Sequence, residues 1–117
     1  NIAIPDQKVV RGKSIVPLLK DEKVKEWRND LYAEYDMINY AQSYMRSYRT
    51  TNWKLVKDFK NPKRDEFYNI SKDPEENINL IYDSRQAIKN MIEELDSKIK
   101  ETMNQIDDSL LDTLSVN

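Results

Sequence analysis

The stretch of residues 45–74 constrains the fold more than any other part of the chain. Three short runs rich in aromatic and β-branched side chains lie in this stretch, the first of them beginning one residue earlier, at Tyr44. This composition favours β-strands. Short connections with Asn or Pro separate the runs. Thr51 and Asn52 are predicted to form the first turn, with Asn52 in the left-handed conformation that tight hairpin turns require. The predicted strands cover residues 44–50, 53–59 and 65–70.

A fourth strand is predicted upstream, over residues 31–38. Alternate residues of this run are apolar or aromatic, which is the period-two pattern of a strand. The connections between the four strands are too short for parallel crossovers, so the sheet is predicted to be antiparallel. The alternating residues are Leu31, Ala33, Tyr35 and Met37.

The last third of the chain predicts one long amphipathic helix, over residues 84–107. Apolar side chains recur there at spacings of three and four, which places them on one stripe of the helix. Asp83 and Ser84 are predicted to cap its start, and Asp107 and Asp108 are predicted to fray at its end, where carboxylates oppose the helix dipole. Only the sheet can cover the stripe. The predicted fold class is therefore α+β, a small four-stranded antiparallel sheet with a long C-terminal helix packed on one face.

Composition excludes several kinds of chemistry. The chain has 117 residues, enough for one core, and its formal net charge of -2 gives no strong field for nucleic acid. It has neither cysteine nor histidine, which excludes thiol chemistry and removes the commonest general base and metal ligand. A single glycine rules out a glycine-rich phosphate loop. No apolar run approaches the roughly 20 residues of a membrane span.

Two groups of side chains could still carry a function. Glu34 and Asp36 share a face of the first predicted strand, either as a catalytic carboxylate pair or as a solvated strand face. Alternating aromatic and basic residues on the next strands fit either a single-stranded nucleic-acid platform or ordinary sheet packing. A module whose helix docks into a partner's groove is a further alternative. The aromatic and basic group is Tyr44, Arg46, Tyr48, Arg49, Trp53 and Lys54.

Five segments, in order, resemble the C-terminal part of the type I sulfatases of the alkaline phosphatase superfamily. They are GKSIVPLL, WRNDLYAEY, MRSYRTTNWKLV, DEFYNISKDPEENINL and the predicted closing helix. The resemblance implies a lead-in segment with a short helical turn over residues 1–26. It implies a sulfatase C-terminal subdomain over residues 27–117, with the sheet at about 28–70. Since the chain begins at Asn1 rather than Met, we expect it to be a piece of a longer protein.

The resemblance also implies that hydrolysis of sulfuric esters takes place elsewhere in a parent enzyme. Family members use a Ca²⁺ ion and a formylglycine made from a C/S-x-P-x-R motif. The segment from Ser14 to Leu18 lacks both the proline spacing and the arginine of that motif, so we expect no catalytic residue, metal or cofactor in this chain. The expected partners are the N-terminal catalytic domain of the same parent chain and sulfated carbohydrate, with neither nucleic acid nor membrane. Relatives are usually exported or lysosomal.

In this family the loop before the "RT" strand contributes to the substrate pocket. The corresponding loop here is residues 39–44, and the resemblance suggests Tyr40, Gln42 and Arg46 as substrate-binding residues. Their hydroxyl, amide and guanidinium groups can hydrogen-bond to a sulfated sugar.

Overall fold

The computed structural model describes residues 12–114, with side chains through Asp112. Residues 1–11 of the predicted lead-in and the last three residues of the chain lie outside this range. The elements in chain order are α1 (Val16–Leu19), β1 (Leu31–Ile38), β2 (Gln42–Arg49), β3 (Trp53–Asp58), a 3₁₀ turn (Pro62–Arg64), β4 (Glu66–Asn69), α2 (Gln86–Gln105) and α3 (Leu110–Leu114).

The four strands form one antiparallel sheet in the order β1-β2-β3-β4. Each strand pairs with the next strand along the chain, so short hairpin connections suffice. β1 and β2 pair along their whole length, ending at Ile38 opposite Gln42. β3 pairs with only part of β2, from Met45 opposite Asp58 to Arg49 opposite Lys54. The predicted four-stranded sheet is confirmed. The β1–β2 hairpin continues past the point where the pairing between β2 and β3 ends.

The β2–β3 turn lies where the sequence predicts it, but a different residue organises it. Asn52 does not have a positive φ angle, so the predicted left-handed conformation is wrong. The backbone N–H of Thr50 donates to the carbonyl of Trp53 at 2.8 Å, and the Thr50 hydroxyl accepts from the N–H groups of Asn52 and Trp53. The side chain of Thr50 satisfies the turn without a left-handed residue.

α2 packs on one face of the sheet, and its apolar stripe supplies half of the core. Trp53 extends this core by stacking on Phe67, with ring centroids 5.1 Å apart. Each fully buried aliphatic or aromatic side chain contributes about 1.5–3 kcal/mol, so this contact is the main source of stability. The predicted packing of the helix on one sheet face is confirmed. The most deeply buried apolar residues are Leu55, Phe67, Leu95, Ile99 and Met103.

The sheet face opposite α2 is called here the open face. Residues that alternate with the core positions lie on it. It is exposed along β1, where Leu31 and Tyr35 are 58% and 57% exposed, whereas Asp58 of β3 and Tyr68 of β4 are buried. The short helix α1 also leaves Val16 and Leu19 exposed. The described part of the chain therefore carries exposed apolar surface on β1 and on α1.

The start of α2 differs from the prediction. The N-cap is Arg85, and it makes no side-chain capping bond, so the predicted cap at Asp83 and Ser84 is wrong. Asp83 instead accepts hydrogen bonds from the guanidinium and the backbone N–H of Arg85. The guanidinium lowers the pKa of Asp83 to about 2. Within two residues at each end, α2 nevertheless matches the predicted helix.

The end of α2 is closed rather than frayed. Asp107 takes a left-handed φ of 51°, and the N–H of Asp108 donates to the carbonyl of Met103 at 3.0 Å. The N–H of Asp107 donates to the carbonyl of Asn104 at 3.3 Å. This pair of bonds satisfies carbonyls that a helix end otherwise leaves unpaired. The predicted fraying at Asp107 and Asp108 is therefore wrong.

Candidate functional site

The β1–β2 hairpin ends in an exposed tip, residues 38–42. Tyr40 is fully exposed and Ile38 is largely exposed. A backbone bond from the N–H of Asn39 to the carbonyl of Ala41, 3.2 Å long, closes the tip. β3 does not pair along it, because the β2–β3 ladder ends at Met45. The tip therefore projects beyond the β2–β3 ladder, and side-chain contacts at its base add to the β1–β2 backbone pairing that reaches Gln42.

A buried carboxylate holds the base of the tip on the open face. Asp58, a residue only 1% exposed, accepts hydrogen bonds from the hydroxyl of Ser43 at 3.1 Å and the N–H of Tyr44 at 3.3 Å. It also accepts from the N–H groups of Lys60 and Asn61. Burial by itself would raise the pKa of Asp58, but these donors together hold that pKa below its ordinary value. The ionised carboxylate thus joins β2, β3 and the turn after β3.

Arg64 links the same carboxylate to the tip. Its Nη2 lies 2.6 Å from Oδ2 of Asp58 and donates to the carbonyl of Gln42 at 2.7 Å. Gln42 is the first residue of β2 and the last residue of the tip. Arg64 itself sits in the 3₁₀ turn, whose N-cap Asn61 accepts from the N–H of Lys63. Asp58 and Arg64 are called here the Asp58 anchor.

A second ionic cluster holds the hairpin on the helix-covered face. Arg46, 3% exposed, donates to Asp108 at 2.6 Å, to Asp36 at 2.5 Å and to the carbonyl of Met45 at 2.9 Å. The carboxylate of Glu34 lies 3.9 Å from its Nε. Burial would lower the pKa of Arg46, but Asp108 and Asp36 raise it, and Arg46 in turn lowers the pKa of Asp108. This Arg46 anchor joins β1, β2 and the segment after α2.

The chain matches one known protein family over most of its length. The family described as N-sulphoglucosamine sulphohydrolase, C-terminal, matches residues 1–105. The chain belongs to this family of sulfatase C-terminal domains. No curated protein sequence matches the chain.

Solved structures share the fold of this sulfatase C-terminal domain. A candidate sulfatase from Bacteroides thetaiotaomicron VPI-5482 is 25% identical with a TM-score of 0.78, over 99% of this chain and 24% of that one. A 2-O GAG sulfatase is 24% identical with a TM-score of 0.76, over 99% and 24%. A protein in complex with its substrate D-glucosamine-2-N,6-O-disulfate is 24% identical with a TM-score of 0.69, over 92% and 22%. The chain thus spans about a quarter of the length of these structures.

The structure separates the three residues of the sulfatase domain that the resemblance suggests for substrate binding. Tyr40 and Gln42 are exposed in the hairpin tip. Arg46 lies on the same strand as Gln42, but its guanidinium is buried against two carboxylates. Tyr40 and Gln42 can therefore meet a ligand directly. Arg46 can do so only if Asp36 or Asp108 moves away from it.

The sequence reasoning missed both anchors. Asp58 had a detectable signal, since an Asp whose oxygen caps N–H groups two and three residues later is typical of a turn. Arg64 and Asp108 had none, because Arg64 reaches Gln42 across 22 positions and Asp108 reaches Arg46 across 62. Local patterns cannot report contacts between residues so far apart in the chain.

The two carboxylates predicted as a possible catalytic pair are used by the Arg46 anchor. Asp36 binds the guanidinium, and Glu34 lies close to it. Within residues 12–114, no group of three or more carboxylate or other metal-binding side chains could hold a metal ion. In that same range, no helix is long and apolar enough to cross a bilayer.

The aromatic and basic residues of β2 and β3 do not share one surface. Tyr48 and Trp53 pack against the core under α2. Lys54 lies on the open face, where its Nζ is 2.5 Å from a carboxylate oxygen of Glu76. Arg49 lies opposite Lys54 in the ladder and approaches the same glutamate. The sheet-packing interpretation of this group therefore fits the geometry better than a nucleic-acid platform does.

Proposed function

We propose that this C-terminal domain belongs to an enzyme that hydrolyses sulfuric esters of sulfated carbohydrate, and that it supports this reaction without carrying it out. The observation behind the proposal is the family match over residues 1–105, combined with the share of the related structures that the chain spans. One related structure holds a disulfated glucosamine as its substrate, which suggests the same class of ligand here.

In this proposal, the open face and α1 contact the catalytic domain of the same parent chain. Leu31, Tyr35 and Leu19 are each more than half exposed, and exposed apolar surface of this kind marks protein contacts. The apolar stripe of α2 is already used by the sheet, so α2 offers no second apolar side. Residues 1–26 would then be the lead-in from the catalytic domain, and residues 27–117 the subdomain proper.

The hairpin tip is the part of the domain that we assign to the substrate pocket. Tyr40 offers an exposed aromatic ring and a hydroxyl, and Gln42 offers an exposed amide. Aromatic rings can cover the apolar face of a sugar, and amide and hydroxyl groups can hydrogen-bond to its sulfate and hydroxyl oxygens. Arg46 belongs to the same proposal as a buried cation four residues after Gln42 on β2.

A formylglycine nucleophile and a Ca²⁺ ion that activates the sulfate are expected in the parent enzyme. The residues of this chain fit neither group. The sequence contains no cysteine, the segment from Ser14 to Leu18 lacks the motif arginine, and residues 12–114 contain no metal-binding cluster. Both groups therefore belong, in this proposal, to the catalytic domain.

The test uses the full-length enzyme that carries this chain and a panel of glucosamines sulfated at N2, at O6 or at both. Sulfate release is measured by ion chromatography. We expect turnover by the full-length enzyme and none by the isolated chain. Tyr40→Ala and Gln42→Ala should each raise KM by about tenfold, as expected for truncated contact residues. Tyr82→Ala, at another exposed tyrosine, is the matched control.

Three results would each contradict part of the proposal. Hydrolysis by the isolated chain would show that it carries its own nucleophile. A full-length enzyme that releases sulfate from no sulfated sugar would remove the proposed substrate class. If the enzyme is active but both tip variants behave like Tyr82→Ala, the tip lies outside the substrate pocket.

A further inference from the structure

The hairpin tip is held at its base from both faces of the sheet. On the helix-covered face, Arg46 joins β2 to Asp36 of β1. On the open face, Asp58 binds the hydroxyl of Ser43 and the N–H of Tyr44, the second and third residues of β2. The Asp58 contacts lie just beyond the end of the β2–β3 ladder, where one backbone bond, from the N–H of Phe59 to the carbonyl of Tyr44, still joins β2 to the β3 side, and only β1 pairs with the first residues of β2.

Several hydrogen-bond donors converge on Asp58 at the base of the hairpin. Asp58 is nearly inaccessible to water, whereas the Arg64 side chain is 36% exposed, so the buried carboxylate is stabilised mainly by its hydrogen-bond donors. Its donors come from three separate segments of the chain, so it fixes their relative positions. One nitrogen of Arg64 forms an ion pair with the Asp58 carboxylate and donates a hydrogen bond to the carbonyl of Gln42. The anchor therefore sets where the last residue of the tip lies.

We propose that Asp58 and Arg64 are positioning residues for the substrate pocket: they hold the hairpin tip so that Tyr40 and Gln42 are already in place when a sulfated sugar binds. The inference rests on the proposed function of the tip. A preorganised loop binds more tightly because fewer side chains have to be immobilised on binding. In this proposal Asp58 and Arg64 act through the tip and not by contact with the substrate.

The expected kinetic effect follows from these roles, in which Arg64 positions the tip and the tip binds the sugar. If Arg64 is lost, the tip samples positions in which Tyr40 and Gln42 miss the sugar, so KM rises. The reacting groups in the catalytic domain are unaffected, so kcat changes by less than about twofold. We expect KM for a sulfated glucosamine to rise by about tenfold, the loss that follows when two side chains must be ordered on binding.

The experiment compares Arg64→Met and Arg64→Lys with Lys63→Met in the full-length enzyme. Lys63 is an exposed cation in the same 3₁₀ turn, so its replacement makes the same change in charge without touching the tip. Each variant is assayed with the best sulfated glucosamine of the panel and with 4-nitrophenyl sulfate, which is too small to need the tip. Amide hydrogen exchange over residues 39–44 reports the order of the tip directly, and the N–H of Tyr44 is the most informative probe.

The proposal expects a raised KM for the sugar alone in Arg64→Met, an intermediate KM in Arg64→Lys and no change in Lys63→Met. Exchange at residues 39–44 should be about tenfold faster in Arg64→Met. Equal losses on both substrates, or a matching fall in kcat, would mean that Arg64 acts on the whole domain, and would overturn the proposal.

The failure of this inference is distinguishable from the failure of the proposed function. If Tyr40→Ala raises KM while Arg64→Met changes neither KM nor amide exchange, the tip binds substrate but needs no anchor. If Tyr40→Ala leaves KM unchanged, the substrate role of the tip fails, and the positioning role fails with it.

Discussion

Replacing Arg46 by Met is expected to lower the free energy of unfolding of the chain by about 3–5 kcal/mol. The Arg46 side chain is 3% exposed, and its partner Asp108 is 6% exposed. Removal of the guanidinium leaves Asp108 as a buried carboxylate without its cation, and this is the costly part. Asp36 is 47% exposed and returns to water, so its share is below about 1 kcal/mol. Methionine preserves much of the packing of the arginine stem. The fall in the free energy of unfolding therefore measures mainly the removal of the guanidinium charge.

A loss of this size is a large part of the stability of a small domain, which is on the order of 5–15 kcal/mol. Asp108→Asn should cost less, about 1–2 kcal/mol, because Arg46 keeps its bonds to Asp36 and to the carbonyl of Met45. The double variant should be more stable than Arg46→Met alone, since it leaves no buried carboxylate without a cation.

The measurement is urea unfolding followed by far-ultraviolet circular dichroism, with linear extrapolation to water. Arg49→Met is the matched control: Arg49 lies on the same strand, is 49% exposed and has a carboxylate of Glu76 at 3.9 Å. We expect it to cost less than about 1 kcal/mol. Equal losses in Arg46→Met and Arg49→Met would refute the reasoning. An unchanged stability with a raised KM in the full-length enzyme would instead make Arg46 a substrate contact, as the resemblance suggests.

Three further predictions concern the core, the helix end and acid. Leu95→Ala should cost about 2–5 kcal/mol in the same urea experiment because it leaves a cavity between α2 and the sheet, whereas exposed Glu94→Ala should cost almost nothing. Asp107→Gly should raise stability by about 0.5–1 kcal/mol, since glycine adopts the observed φ of 51° without strain; a loss would mean that the Asp107 side chain stabilises the helix end. Because the folded pKa of Asp58 is lowered, its ionised form stabilises the fold above the unfolded pKa of about 4, and this stability is lost as the pH falls through the lower folded pKa. Melting temperatures measured from pH 6 to pH 2.5 should therefore fall less steeply for Asp58→Asn than for the original chain, and parallel curves would contradict the assignment.

The strands and the long helix could be predicted because their signals are local. The period-two pattern of residues 31–38 coincides with β1, Leu31–Ile38, and the apolar stripe gives α2 to within two residues at each end. The turn at Asn52 was located correctly but explained wrongly, because the hydroxyl of Thr50 offers the backbone a competing partner. Local propensity selects the type of element, while competing hydrogen bonds decide its ends.

By itself the sequence determined the four strands, their antiparallel order, the helix that covers them and the family to which these segments point. Only the tertiary structure decided which charged groups are buried together. Asp108 was predicted to fray and is instead the buried partner of Arg46, and Asp58 and Arg64 meet at the base of the hairpin tip. The physical reason is that the apolar periodicity is a local property of each segment. The solvation of a charge depends instead on which distant segments exclude water from it.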